Sequence, residues 1–240
     1  MKVLMKGITM GAGSVQPSKG ARAYDELRRR IISGELAPGS RLSQYELADA
    51  LSMSITPLRE AIRQLASENW VVMETHRDAR VASMSAGEAR ELLEARYAIE
   101  PIATELAALR RTNREIDNMK AAADSLLPVT REWGEEAIVA HRAFHRAVYT
   151  ASHNTVMIKM LDDLWDKGDR YRRIGLELPA GAESRTIDLE QHHKILELVT
   201  EGEGAQAAEL VRNHIRNSLG ALVSGTLQDV ERTYASFGGH

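Results

Sequence analysis

The chain has 240 residues, 43% of them hydrophobic and 27% charged, and carries a formal net charge of −3. That balance is ordinary for a globular protein, and the length allows one large domain or two average ones. No cysteine is present, which excludes disulfides, zinc ribbons and thiol catalysis and is compatible with a reducing cytoplasm; no apolar run reaches the ~20 residues of a membrane span, so no membrane partner is expected.

The opening "MKVLMKGITMGAGSVQPSKG" lacks the continuous apolar core of a signal peptide and reads as a disordered tail over residues 1–20. Residues 1–84 hold twelve Lys and Arg against nine Asp and Glu, whereas residues 85–240 hold nineteen against twenty-five. A slightly basic front and an acidic back predict two domains with different partners.

"ARAYDELRRRIISGEL" places Tyr24, Leu27, Ile31 and Ile32 at helical spacing, and Gly34 with the "APGSRL" turn ends that helix. Ser43 is the expected N-cap of "QYELADALS", with Glu46 at the capping-box position. Ser54 is the expected cap of a third helix carrying Leu58, Ile62 and Leu65 on one side. "WVVMETHRDARVAS" then shows strand signals on either side of "HRD". Two short helices followed by a hairpin make a winged helix-turn-helix over residues 21–84.

The second helix of that pair would read DNA, its N-terminal residues meeting the major groove. Ser54, Thr56 and Arg59 supply two hydroxyls and one bidentate guanidinium, and Arg63 and Arg41 are phosphate candidates. Taken singly, each would equally suit the solvated side of an amphipathic helix.

From Ser85 to about residue 232 the pattern is helical almost throughout, and residues 233–240 read as a second tail. "SAGEARELLEARYAIEPIATELAALRRT" is one long segment with a Ser85–Glu88 capping box and an expected kink at Pro101. Further helices are predicted near 113–127, 131–152, 154–176, 183–201 and 203–230, giving an antiparallel bundle. The predicted fold is therefore mainly α, a winged helix-turn-helix followed by an all-helical bundle. Asp162, Asp163, Asp166, Arg170, Arg172 and Arg173 mark one helix as charged, and a solvated face accounts for them.

His141 and His145 stand four residues apart in "HRAFH", which stacks both imidazoles on one helix face. Alone, the pair suits a wet helix better than a metal site. A zinc-protease helix would need Glu where Arg142 stands, and no nucleophile elbow or phosphate loop occurs, so no enzyme is expected.

The block "PGSRLSQYELADALSMSITPLREAIRQLASENWV" resembles the winged helix of GntR-type bacterial transcription regulators, and "TPLREAIRQL" is its most specific part. "LLEARYAIEPIATELAA" resembles the first long helix of the all-helical FCD effector domain of the FadR-like branch. Together the two resemblances cover roughly residues 21–230. They imply a homodimer that binds a pseudo-palindromic double-stranded operator, acts as a repressor and is released by a small organic acid bound in the bundle.

The family often has Arg where this chain has Tyr45 and usually Arg at Ile55, both positions expected to face DNA, and commonly Gly at Asp78 in the hairpin turn. Ile55 is a candidate for contact with a thymine methyl. The FCD resemblance also implies a metal held by an Asp and three His, with the Asp four residues before the first His. Here His145, His192 in "QHHKILEL" and His214 in "VRNHIRNS" match the three histidines, and His141 replaces the Asp. Four imidazoles suit zinc or nickel, and copper or iron, better than magnesium or calcium; the other reading is a metal-free pocket lined by imidazoles. His153 and His193 fall off the matched pattern and are expected at the surface. The resemblance puts Arg96 near the effector cavity, where it would bind a carboxylate; the alternative is a salt bridge to Glu100 one turn on.

Overall fold

The computed structural model describes residues 17–73, 79–129, 134–177 and 186–225. Among these residues the chain forms nine helices and one antiparallel hairpin. They divide into two units, one made of the residues up to Arg30 together with Ser40–Ala82, the other of Ile31–Gly39 together with Ser83 onward.

In the first unit, α1 (Lys19–Ile32) turns Ala23 and Leu27 inward. The helix pair α2 (Gln44–Ala50) and α3 (Ile55–Ser67) adds Leu47, Leu58, Ala61, Ile62 and Leu65 to the core. Ser52, at φ 50°, makes the turn between them. Strands β1 (Val71–Met73) and β2 (Ala79–Val81) pair antiparallel, Val72 opposite Arg80, with Ala79 and Val81 buried. The expected "HRD" turn with Asp78 lies outside the described residues.

One of the two expected caps in this unit differs from the sequence reading. Ser43 accepts the Glu46 amide as expected, but Ser54 holds the N-cap position of α3 without a side-chain bond. Position N3 of α3 is Pro57, which has no N–H to donate, so one of the two usual cap donors is missing.

The second unit is built around α4 (Ala86–Arg110), which packs against α6 (Gly134–Thr150), α7 (Thr155–Glu177), α8 (Thr186–Glu201) and α9 (Gly204–Gly225). Helix α5 (Asn113–Asp124) closes the bundle against α6 and α8. The main core joins Ala107 and Ala108 of α4, Met119 of α5, Phe144 and Val148 of α6, Ile195 and Val199 of α8, and Val211 and Ile215 of α9. Helix α9 crosses α4 closely because Gly204 has no side chain; a Cβ there would lie 3.1 Å from the Glu105 carbonyl oxygen.

Helix α4 runs on through Pro101. At its start Ser85 accepts the Glu88 amide at 3.1 Å, but Glu88 does not reach back. The Tyr171 hydroxyl stands between them, accepting the Ser85 N–H at 3.1 Å and donating to the Glu88 carboxylate. A contact from α7 thus replaces half of the expected capping box. The complete box belongs to Thr112 and Glu115 at the start of α5, which the sequence reading did not single out. Among the described residues no helix is long and apolar enough to cross a membrane.

Candidate metal centre and nucleic-acid interface

On the first unit, the apolar stripe of α3 fixes what the helix shows outward. Ser54, Thr56 and Arg63 are exposed, Ile55 and Arg59 are half-buried, and Tyr45 on α2 is 78% exposed. Arg59 Nε donates to Gln44 Oε1 at 2.9 Å, tying α3 to the first turn of α2. Arg41 pairs with Arg80 across an isolated β-bridge, so two exposed arginines sit side by side at the base of the hairpin. Arg80 was missed from the sequence, although the strand alternation of "ARV" turns it outward from buried Ala79 and Val81.

The second unit brings together the four histidines singled out from the sequence. His141 and His145 come from α6, His192 from α8 and His214 from α9. All four are buried, and one ring nitrogen of each lies within 4.8 Å of the others. The His145 and His192 Nε2 atoms are 3.0 Å apart. Two ligand atoms of a tetrahedral zinc with bonds of ~2.0–2.1 Å sit roughly 3.3 Å apart, so the cluster has the dimensions of a coordination shell. The burial of His141 contradicts the picture of a wet helix face, whereas His153 and His193 are exposed as expected.

The chemistry of the donors also fits a metal. His141 Nδ1 and His214 Nε2 are buried with no hydrogen-bond partner. His214 Nδ1 faces Gln191 Oε1 at 2.9 Å; as donor to that oxygen it leaves the Nε2 lone pair free, and a hydrogen bond of this kind fixes the ring orientation of a metal ligand. Burial pushes the pKa values of His141, His145 and His214 well below the usual imidazole value, with neighbouring histidines and arginines pushing the same way. Neutral imidazole is the ligating form.

Beside the histidines, Trp165 of α7 is fully buried. His145 lies 4.7 Å from its ring and His141 5.5 Å. Two guanidinium groups lie over the same ring, Arg96 at 4.0 Å and Arg172 at 4.3 Å. Arg96 donates through Nε and Nη2 to Glu100 Oε2, at 3.1 and 2.9 Å, and the Trp165 indole N–H donates to Glu100 Oε1. Arg172 pairs with Asp169 at 2.9 Å. Burial and the nearby charge of Arg96 lower the pKa of Arg172 to about 10, which leaves it cationic at neutral pH. Arg96 Nη1 and Arg172 Nη2 are buried without an acceptor. The Arg96–Glu100 salt bridge is therefore present, and Nη1 of the guanidinium remains without a hydrogen-bond partner.

The solvated-face reading of the charged helix fails for its second half, since Asp169, Arg170 and Arg172 are all buried. Leu161, Trp165, Asp169 and Arg172 recur at four, four and three residues, a helical stripe that starts apolar and turns charged. That change along one buried face was the signal the sequence carried. Arg142, in the place a protease would give its general base, is tied at Nη2 to Asp162 Oδ1 at 3.2 Å and Asp166 Oδ1 at 3.4 Å.

The FCD domain family matches residues 91–217, and the bacterial regulatory proteins of the gntR family match residues 19–81. The chain is 29% identical to the HTH-type transcriptional repressor GlaR of Escherichia coli (strain K12), over 80% of this chain and 90% of that one. It is also 29% identical to the HTH-type transcriptional regulator McbR of the same strain, over 59% of this chain and 64% of that one. The solved structure of E. coli McbR/YncC superposes with a TM-score of 0.73 at 24% identity, covering 86% of this chain and 98% of that one, a likeness of fold.

Proposed function

The chain belongs to the GntR family of bacterial transcription regulators, with an FCD domain C-terminal to its DNA-binding segment, and from that premise we propose that it is a cytoplasmic, dimeric, acid-responsive repressor whose effector binds beside a metal held by His141, His145, His192 and His214. Proteins of this kind bind DNA and are regulators, not enzymes. The observation that carries the sensor reading is the buried cluster of four imidazoles drawn from three helices.

Zinc or nickel suits that donor set, with borderline-soft nitrogen ligands and no carboxylate. When bound, the ion would supply a positive charge and a Lewis-acid position for an anionic ligand. Arg96 faces the same region and keeps one buried N–H without an acceptor, which supports its role in holding a carboxylate. Arg41, Ser54, Thr56, Arg59 and Arg63, with Tyr45 and Ile55, are the proposed DNA contacts, and Ile55 is suited to a thymine methyl. Exposed Ile102 and Leu109 of α4 and Val156 and Met160 of α7, on helices packed against each other, support a self-association face.

A metal-free reading has one observation in its favour. The His145–His192 contact is a satisfactory hydrogen bond if one ring donates to the other. Elemental analysis of untagged protein purified without chelators, beside a His145→Ala variant, separates the two. About one transition metal per chain in the parent and a loss of most of it in the variant is the expected result. No metal in either protein after soaking in zinc and nickel leaves the imidazole-lined pocket as the reading. Operator fragments selected from a randomised duplex pool then report whether an acid panel releases the loaded protein.

A further inference from the structure

Among the described residues, Arg96, Arg142 and Arg172, which lie over Trp165, are each paired with a carboxylate. Arg96 is paired with Glu100, Arg172 with Asp169, and Arg142 and Arg146 with Asp162 and Asp166. Four guanidinium groups meet four carboxylates, and the imidazoles bring no charge as ligands. The ligand set itself contains no carboxylate. A divalent ion placed there therefore adds two positive charges that no carboxylate of the four-residue ligand set cancels. Buried charge without a counter-charge is costly, and the deficit is met by whatever anion enters with the ion. Arg96 Nη1 and Arg172 Nη2, buried without acceptors, are two donors waiting in the same layer.

We propose that His141 sets the charge of the ligand, so that the metal-loaded site takes a small dianion, with Arg96 and Arg172 as its guanidinium donors. This rests on the metal-and-acid reading above. An Asp at position 141 would remove one unit of that positive charge at a single residue, and the same pocket would then be balanced by a monoanion. Arg172 thereby acquires a role as a specificity-determining residue beside Arg96. Dicarboxylates and inorganic dianions share this chemistry and differ in their reach.

The test is calorimetric titration of the full-length chain, loaded with one equivalent of nickel or zinc, with acetate, butyrate, malonate, succinate and sulfate. Metal content is measured on the same samples. Expected is at least tenfold tighter binding of one or more of the three dianions than of either monocarboxylate. Tighter malonate or succinate than sulfate identifies an organic diacid, and the reverse an inorganic anion. The preference is expected to shrink at least threefold in metal-loaded His141→Asp and to persist in His141→Asn, which keeps the site's charge while changing the same side chain. Removing the metal from the parent should abolish it. Equal binding of monocarboxylates and dianions by the loaded parent overturns the proposal, as does a preference unchanged in His141→Asp or in chelated protein. Loaded protein without the preference defeats this inference alone, whereas protein that takes up no metal defeats the earlier reading and this one with it.

Discussion

Arg59 and Arg63 lie one turn apart on α3 yet do different work in the proposed complex. Arg59 is half-buried and anchored to Gln44 through Nε, so the rest of its guanidinium is held in place to address a base edge. Arg63 is exposed and is the proposed phosphate contact. Arg59→Ala, or Thr56→Ala at the helix start, is expected to cost about 1–3 kcal/mol of operator binding and to relax sequence preference. Arg63→Ala is expected to weaken all duplexes alike and reduce the salt slope by about 1. Binding titrations on the selected operator and a scrambled duplex at several salt concentrations check both; equal losses on the two duplexes for Arg59→Ala would remove it from base reading. The gathering of the four histidines was legible through the family resemblance, whereas the helical step from His141 to His145 alone suited a wet helix better. Trp165, Asp169 and Arg172 were not legible, because a buried arginine is written with the same letters as an exposed one. Only the partners that bury it, Trp165 beneath and Asp169 beside, reveal which it is.

Between α6 and α7 the connection is as polar as it is apolar. Asp162 of α7 accepts from Arg146 Nε at 3.0 Å and Nη2 at 3.2 Å, from the Tyr149 hydroxyl at 2.6 Å and from Arg142 Nη2 at 3.2 Å, all on α6. Burial would raise the pKa of its carboxyl, but the hydrogen bonds from Arg146 and Tyr149 outweigh that and hold it below the ordinary value. A carboxyl lowered in this way contributes stability above its unfolded pKa of about 3.9 and loses it as the pH falls through the folded value. Asp162→Asn is therefore expected to lower stability at pH 7 by about 1 kcal/mol, the partial exposure of the group discounting its charge. The gap between variant and parent should begin to narrow as the pH falls below about 4. Denaturant unfolding at pH 7 and pH 3.5 measures it, and a gap independent of pH would deny the carboxylate its role. The helices themselves were legible almost to the residue: 154–176 was expected where Thr155–Glu177 is found, and 113–127 where Asn113–Asp124 is found. Their ends were less so. Pro57 silences the Ser54 cap and Tyr171 intrudes on the Ser85 box, and the second of these depends on a residue 86 positions away.

At the scale of the whole molecule, a regulator that reads a two-fold site needs two copies of itself. The exposed apolar residues of α4 and α7 are the proposed seam, with Leu109 67% and Val156 68% exposed in the single chain. Leu109→Glu is expected to shift the protein from dimer toward monomer by light scattering and to weaken operator binding at least tenfold, with its helical circular dichroism unchanged. A dimer as stable as the parent would place the seam elsewhere. Effector and operator are then linked by the arrangement of the two copies, and the acid can change DNA affinity only by as much as the operator changes acid affinity. The two-part architecture was legible from the switch between a hairpin-bearing front and a helical back, whereas nothing in the residue pattern announced that Arg96, Arg142 and Arg172 gather, ion-paired, over Trp165.

The order in which the metal ligands occur along the chain has a consequence for biosynthesis. The polypeptide leaves the ribosome with its DNA-reading segment first, then His141 and His145 on α6, then His192 on α8, and His214 only on α9, the last described helix. Until α9 has been made and has packed against α4 and α8, the proposed coordination shell is one ligand short. On the proposed reading, a chain that ended before α9 would lack both His214 and the helix that packs against α4 and α8, and so could not complete the shell on which release from the operator would depend.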